Sequence, residues 1–266
     1  MVAYIDRPGA RIAYAVTGDA SEATPVLVAH SFLASRRLED EVGVFDWSPV
    51  TGLGKRLIRF DARGHGESTG GADHDDYRWP ALAEDLLAVA DTVATDDHPV
   101  DAVGESTGCG TLLWAVTREP QRFRRLVLVI PPTVRAARAE QAEIYRAAAS
   151  LIELRGAEAW TRLVDHFPSA PLLDRGGWSR ARRIPVPLEV LPSVLRGAAA
   201  SDLPDEAALA ALPHETLVLA WTTDVNHPTS SAEYLAGALP RARLVVADDP
   251  DQVRGWGALA AEHLAG

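Results

Sequence analysis

Two serines in this chain sit in the same five-residue frame, Gly66-Glu67-Ser68-Thr69-Gly70 and Gly104-Glu105-Ser106-Thr107-Gly108. The frame Gly-x-Ser-x-Gly makes a serine an acyl-transfer nucleophile when a strand runs into it and a helix runs out. The second copy has that setting. Pro99-Val-Asp-Ala-Val103 precedes it and reads as a short strand; Cys109-Gly110-Thr111-Leu-Leu-Trp-Ala-Val-Thr117 follows and reads as a helix. The turn between them forces the hydroxyl to project, and Gly104 and Gly108 let neighbouring backbone crowd in. The helix N-terminus then offers free N–H groups to a developing oxyanion. The first copy follows Asp61-Ala-Arg-Gly-His65 and leads into the polar run Gly71-Ala-Asp-His-Asp-Asp76, so no helix starts at Ser68. Context therefore selects Ser106 as the nucleophile and makes Ser68 a decoy.

Other chemistry is less well supported. The glycines at 64, 66 and 70 miss the dinucleotide-binding spacing, so no nucleotide cofactor is expected and the turn reads as scaffold. No cluster of His, Cys and carboxylates has metal spacing, and no metal is expected. Cys109, among small residues at a packed helix start, reads as buried filler. His65 and His74 are expected near the pocket rim.

The 266 residues carry 37 acidic and 26 basic side chains, a net charge of −11, which disfavours nucleic acid and anionic membrane as partners. At 47% hydrophobic the chain can bury a sizeable core, yet it has no apolar run of membrane-spanning length. The single cysteine rules out an intrachain disulfide and fits a reducing compartment. The opening Met1-Val-Ala-Tyr-Ile-Asp-Arg7 lacks a basic block followed by an apolar one, so a cytoplasmic location is expected. A homodimer is left open.

The elements that must position Ser106 alternate in kind. Val2–Ile5 and Arg11–Val16 flank Arg7-Pro8-Gly9 as a hairpin. Strands are expected at 25–29, 55–60, 99–103, 125–130, 215–221 and 243–247. Helices are expected at 76–93, with Leu82, Leu86, Val89 and Val93 on one face, and at about 230–239 and 252–264. The rhythm breaks at Pro131-Pro132-Thr133, and from Val134 to about Ala211 no strong strand appears. Ala136–Leu154 reads as a helix with Ile144, Ala148, Leu151 and Ile152 on a stripe, Ala157–Val164 as another, and Pro171 to Pro192 as irregular. Alternating strands and helices argue for a doubly wound, mostly parallel sheet covered on both faces, an α/β fold.

With the elbow, the turn Asp61-Ala62-Arg63-Gly64-His65-Gly66 and His30-Ser31-Phe32 after the third strand, this order of elements resembles the α/β-hydrolase fold. It looks most like the branch of enol-lactonases and cofactor-free haloperoxidase-like esterases. The resemblance covers nearly the whole chain. It implies a core of residues 1–133 and 212–266, and a helical cap of 134–211 inserted after strand six. It implies an oxyanion hole made by the backbone N–H groups of Phe32 and Thr107. Such donors stabilise the transition state by about 3–4 kcal/mol each. His30 is itself structural but stands at the substrate pocket. Trp160, Phe167, Trp178 and Leu191 are candidate pocket walls from the cap.

The resemblance also implies a triad acid just past the strand 215–221, where Asp224 stands; the competing reading is a helix-capping aspartate. It places the histidine after the last strand, and there this chain reads Ala247-Asp-Asp-Pro-Asp-Gln-Val-Arg254. His263 is too near the chain end and is expected to be solvated. Two substitutes remain. His227, three residues after Asp224, can serve if its loop bends back. Asp248, Asp249 or Asp251 can act as a weak carboxylate base. The expected function is hydrolysis of a small ester or lactone through an acyl-Ser106 intermediate, impaired or rearranged by the missing histidine. The alternatives are a degenerate member that binds a small apolar ligand or catalyses a non-hydrolytic step, and an acyltransferase or biosynthetic thioesterase.

Overall fold

The computed structural model describes residues 1–18, 24–92, 98–156, 158–159, 162, 170–178 and 184–266. In chain order its elements begin with β1 (Val2–Arg7), β2 (Ala10–Thr17), β3 (Val26–Ala29), α1 (Arg36–Val42), α2 (Ser48–Thr51), β4 (Leu57–Phe60), α3 (Trp79–Asp91) and β5 (Val100–Glu105). They continue with α4 (Thr107–Arg118), β6 (Phe123–Val129), α5 (Ala136–Arg155), α6 (Pro171–Gly176), α7 (Leu191–Ala199), α8 (Glu206–Ala210) and β7 (Glu215–Trp221). The last are α9 (Thr229–Ala238), β8 (Ala242–Ala247), α10 (Pro250–Arg254) and α11 (Trp256–Ala265).

Among the described residues the eight strands form one sheet, ordered β1-β2-β4-β3-β5-β6-β7-β8. The hairpin β1–β2 and the pair β2–β4 are antiparallel; every other pairing is parallel. The central strands are apolar and covered on both faces, and their period of two sorts residues between two cores. Leu27 and Ala29 of β3 face one core with Trp79, Leu86, Leu112 and Leu235. Val26 and Val28 face the other with Val127, Leu217, Trp256 and Ala260. The sheet thus carries α3, α4 and α9 on one face, and α2 and α11 on the other. A third cluster joins α5 and α7 to Tyr77, with Phe32, Leu33 and Tyr145 packed against it. It seats the segment between β6 and β7 over the loop that follows β3.

Several expected boundaries move for local reasons. The helix expected from residue 76 starts at Trp79, because Pro80 favours a first turn and His74–Tyr77 forms a separate 3-10 turn. On α5, Ala148 and Ile152 are buried as expected, but Ile144 and Leu151 are exposed and the stripe turns through Ala149 and Ala142 instead. The C-terminal helix is two helices, α10 and α11, meeting at Gly255. A Cβ on the nearby Gly257 would lie 1.9 Å from the Asp46 carbonyl oxygen, so this turn packs directly on backbone. Most of the helix expected at 157–164 lies outside the described residues. Among the described residues no helix is long and apolar enough to cross a membrane.

Candidate active site

β5 runs into the Gly-x-Ser-x-Gly turn and α4 runs out of it, with Ser106 between them at φ 50°, ψ −113°. A serine in this region is strained and is held only by close packing around it. The packing is visible at both glycines. A Cβ on Gly104 would lie 2.6 Å from the Gly108 oxygen, and one on Gly108 would lie 2.2 Å from the Ala29 oxygen. The strained turn thus rests against the end of β3, and the Ser106 N–H is anchored to the Val129 carbonyl at 2.9 Å.

The hydroxyl has an imidazole partner. Ser106 Oγ lies 2.8 Å from His227 Nε2, and His227 Nδ1 lies 2.8 Å from Asp224 Oδ2. Asp224 and His227 sit on one short loop after β7. That loop bends back because Thr223 takes a left-handed φ of 64° and Asp224 Oδ1 accepts the Asn226 N–H at 2.9 Å. His227 is then directed at Ser106 just before Pro228 opens α9. Trp221, the last residue of β7, donates its indole N–H to Asp224 Oδ2 at 2.8 Å and sits edge-on to the His227 ring. Its other face stacks on Trp256 and Phe45, which fixes the indole and through it the carboxylate. Burial pushes the Asp224 carboxyl upward, but the hydrogen bond and charge of His227, with the Trp221 and Asn226 N–H groups, outweigh it and hold it down at about 2. The carboxylate is therefore ionised at neutral pH. It accepts from Nδ1, which fixes the tautomer that leaves Nε2 free to accept the serine proton.

Ser68 has a different setting. It is buried, its hydroxyl donates to the Asp61 carbonyl at 2.6 Å, and it accepts the Ala13 N–H at 2.8 Å. It pins the turn after β4 to β2, and among the described residues its hydroxyl has no imidazole partner. Asp61 secures the same turn. It accepts both the Arg36 N–H and the Glu67 N–H, which with the Arg36 guanidinium hold its carboxyl below the usual range despite burial.

The N–H groups of Phe32 and Thr107 have no hydrogen-bond acceptor among the described residues. His30 shapes the loop that carries Phe32. Its Nε2 accepts the Ala62 N–H at 2.8 Å, so its Nδ1 carries the proton and donates to the Ser31 carbonyl at 2.8 Å. Both ring nitrogens are thereby spent on backbone. A cavity of about 30 Å³ beside this loop is lined by His30, Phe32, Thr107, Tyr77, Trp79 and Val194, among others. His65, expected near the rim, is buried and lines the same cavity, and its Nδ1 donates to the Arg63 carbonyl at 2.8 Å. Burial and the neighbouring His30 push its pKa down to about 3.

The expected pocket walls are dispersed. Leu191 is buried in the third cluster, behind the cavity rather than on its lining. Trp178 donates its indole N–H to the Gly43 carbonyl at 3.0 Å and lies under the Arg254 guanidinium, away from that cavity. Trp160 and Phe167 lie outside the described residues. Of the substitute bases, Asp249 caps α10 by accepting the Asp251 and Gln252 N–H groups, and Asp251 is an exposed partner of Arg254. Cys109 is buried, bonded to the Gly104 carbonyl, and burial raises its pKa. His263 is half-buried and bonded to the Leu126 carbonyl rather than solvated, and burial lowers its pKa. Trp221 has no signal in the sequence, where it reads only as the end of an apolar strand.

The α/β-hydrolase fold defines the class of this architecture, and comparison with known proteins agrees. The family described as "alpha/beta hydrolase fold" matches residues 24–251, and the chain belongs to it. Among similar solved structures is an enol-lactonase from Burkholderia xenovorans LB400, at 20% identity and a TM-score of 0.79, covering 99% of this chain and 100% of that one. A hydrolase from Pseudomonas aeruginosa PA01 has 22% identity and a TM-score of 0.75, with 100% and 98% covered. A thermophilic esterase from Thermogutta terrifontis has 21% identity and a TM-score of 0.73, with 98% and 97% covered. At these identities the likeness is one of fold.

Proposed function

We propose that this chain is a serine hydrolase that cleaves a small ester or lactone through an acyl-Ser106 intermediate, with His227 as base and Asp224 as acid. The observation that carries the reading is the continuous relay from Ser106 Oγ through His227 to Asp224, each link 2.8 Å. In the first step Oγ attacks the substrate carbonyl carbon while His227 Nε2 takes its proton. The oxyanion forms against the free N–H groups of Phe32 and Thr107. The carbon–oxygen bond to the leaving group then breaks, and Nε2 returns the proton to the departing alkoxide. In a lactone that alkoxide stays tethered, as the hydroxyl of a hydroxyacyl-Ser106 intermediate. Water, deprotonated by Nε2, attacks the acyl carbonyl, and Oγ regains its proton as the acid departs.

The esterase and enol-lactonase among structures of the same fold support the substrate class by analogy. The helical segment between β6 and β7, packed over Phe32 and Tyr77, is in this reading a cap that walls the acyl site. Rapid quenching of the protein with short p-nitrophenyl esters and simple lactones, followed by peptide mass mapping, tests the proposal. The expected result is an acyl adduct on Ser106 and no turnover in Ser106→Ala. Turnover that survives in Ser106→Ala contradicts it.

A further inference from the structure

Glu105, the residue before the nucleophile, is fully buried, and the relay does not use it. One of its oxygens, Oε1, accepts the Trp47 indole N–H at 2.9 Å. The other, Oε2, has no hydrogen-bond partner among the described residues. Among the described residues Glu39 from α1, Arg59 from β4 and the Cys109 thiol from α4 face this carboxyl. Arg59 is already shared, since it gives Nη2 to Glu39 Oε2 at 3.3 Å and Nη1 to Asp40 at 2.5 Å. One guanidinium thus serves two other carboxylates. Glu39 also reaches the site, because its Oε1 accepts the Ser31 N–H at 3.1 Å, in the loop whose next N–H belongs to Phe32.

Two facing carboxyls in a buried place cannot both be ionised, so one holds a proton. Both oxygens of Glu39 already accept from donors, so the proton belongs on Glu105. A proton on Glu105 turns the orphaned Oε2 into a donor and completes its bonding. We propose that Glu105 is a protonated carboxylic acid that donates to Glu39, and that this pair is a positioning device tying the loop of Phe32 to the strand end that carries Ser106. Burial and the facing Glu39 push the Glu105 carboxyl well above the usual range, against the Trp47 N–H and Arg59. Ionisation at alkaline pH sets two negative charges against each other and drives Glu39 off the Ser31 N–H. The activity side of this inference rests on the proposed hydrolase function; the proton and the loop contact do not.

The test compares wild type, Glu105→Gln and Glu105→Leu. Gln keeps an acceptor for Trp47 and a donor for Glu39 without a titrating proton; Leu keeps the bulk and loses both. Infrared spectra at neutral pH are expected to show a carboxylic-acid carbonyl band in wild type that Glu105→Gln removes. Amide hydrogen exchange of the peptide containing Ser31 is expected to stay slow in Gln and to speed up in Leu. For p-nitrophenyl acetate, Leu is expected to lower kcat by roughly tenfold with little change in KM, a fraction of the loss for deleting an oxyanion donor. Gln is expected to hold kcat within about threefold and to lose the wild-type decline at alkaline pH. Absence of that infrared band in wild type overturns the proton. Equal exchange at Ser31 in Gln and Leu overturns the positioning role, whether or not the protein hydrolyses esters.

Discussion

Replacing Asp224 with Asn separates the charge of the acid from its shape. Three donors converge on this carboxylate: Trp221 Nε1 and His227 Nδ1 on Oδ2, and the Asn226 N–H on Oδ1. An asparagine has one oxygen for three donors. With that oxygen in the Oδ2 position it keeps Trp221 and His227 and sets its NH₂ against the Asn226 N–H. The reverse orientation confronts two donors and drives His227 to the tautomer whose Nε2 already bears a proton, which cannot accept one from Ser106. The first arrangement costs mainly the charge. The surroundings hold the Asp224 carboxyl from an ordinary 3.8 down to about 2, a stabilisation of the ionised form of roughly 60-fold. The second costs up to roughly 10⁴-fold, the scale of a wrong tautomer. Asp224→Asn is therefore expected to lower kcat on p-nitrophenyl acetate at about pH 8 by between about 60-fold and 10⁴-fold. One mismatched hydrogen bond lowers Tm by only a few degrees. A folded Asp224→Asn protein within about threefold of wild type refutes the reasoning.

Trp221→Phe keeps the stack on Trp256 and removes the indole N–H from Asp224; kcat is expected to fall by roughly tenfold with KM little changed, and an unchanged kcat removes Trp221 from the relay. Ser68→Ala loses two buried hydrogen bonds and is expected to cost about 2 kcal/mol in urea unfolding with Ser106 reactivity intact; lost reactivity at unchanged stability would reverse the assignment of the two serines. His65 is held neutral, its pKa pushed down to about 3. As pH falls below about 6.5 the unfolded imidazole takes a proton that the folded one refuses, so stability is lost on acidification. Between about pH 7.5 and about pH 5.5, wild type is expected to lose about 1 kcal/mol more than His65→Gln, and parallel losses would contradict this.

Much of this architecture is legible from residue order. Alternating apolar strands and amphipathic helices specify the sheet because buried parallel strands must be apolar on both faces, as β3 and the Leu126–Val129 stretch of β6 are. The two Gly-x-Ser-x-Gly copies are separable by context alone, because an elbow requires the strand and helix that only Ser106 has. The base is harder to find. The resemblance places it after the last strand, where this chain spends Asp249 on capping α10. Asp224 and His227 are three residues apart, but only the bend at Thr223 turns the ring toward Ser106, and a left-handed threonine has no signature in sequence. Trp221 and Glu39 are invisible for a related reason. Glu39 acts across the fold, and Trp221 reaches Asp224 three residues on only because its indole is held by stacking on Trp256 and Phe45; neither spacing nor periodicity encodes these contacts.

The relay stands or falls on whether His227, from the loop after β7, activates Ser106. The direct measurement is the rate at which a fluorophosphonate labels wild type and His227→Ala, with the adduct located by peptide mass spectrometry. Labelling is expected at Ser106 in wild type, at a rate that falls by roughly 10³-fold or more in His227→Ala. Labelling of His227→Ala at the wild-type rate, or an adduct on Ser68 in place of Ser106, contradicts that role.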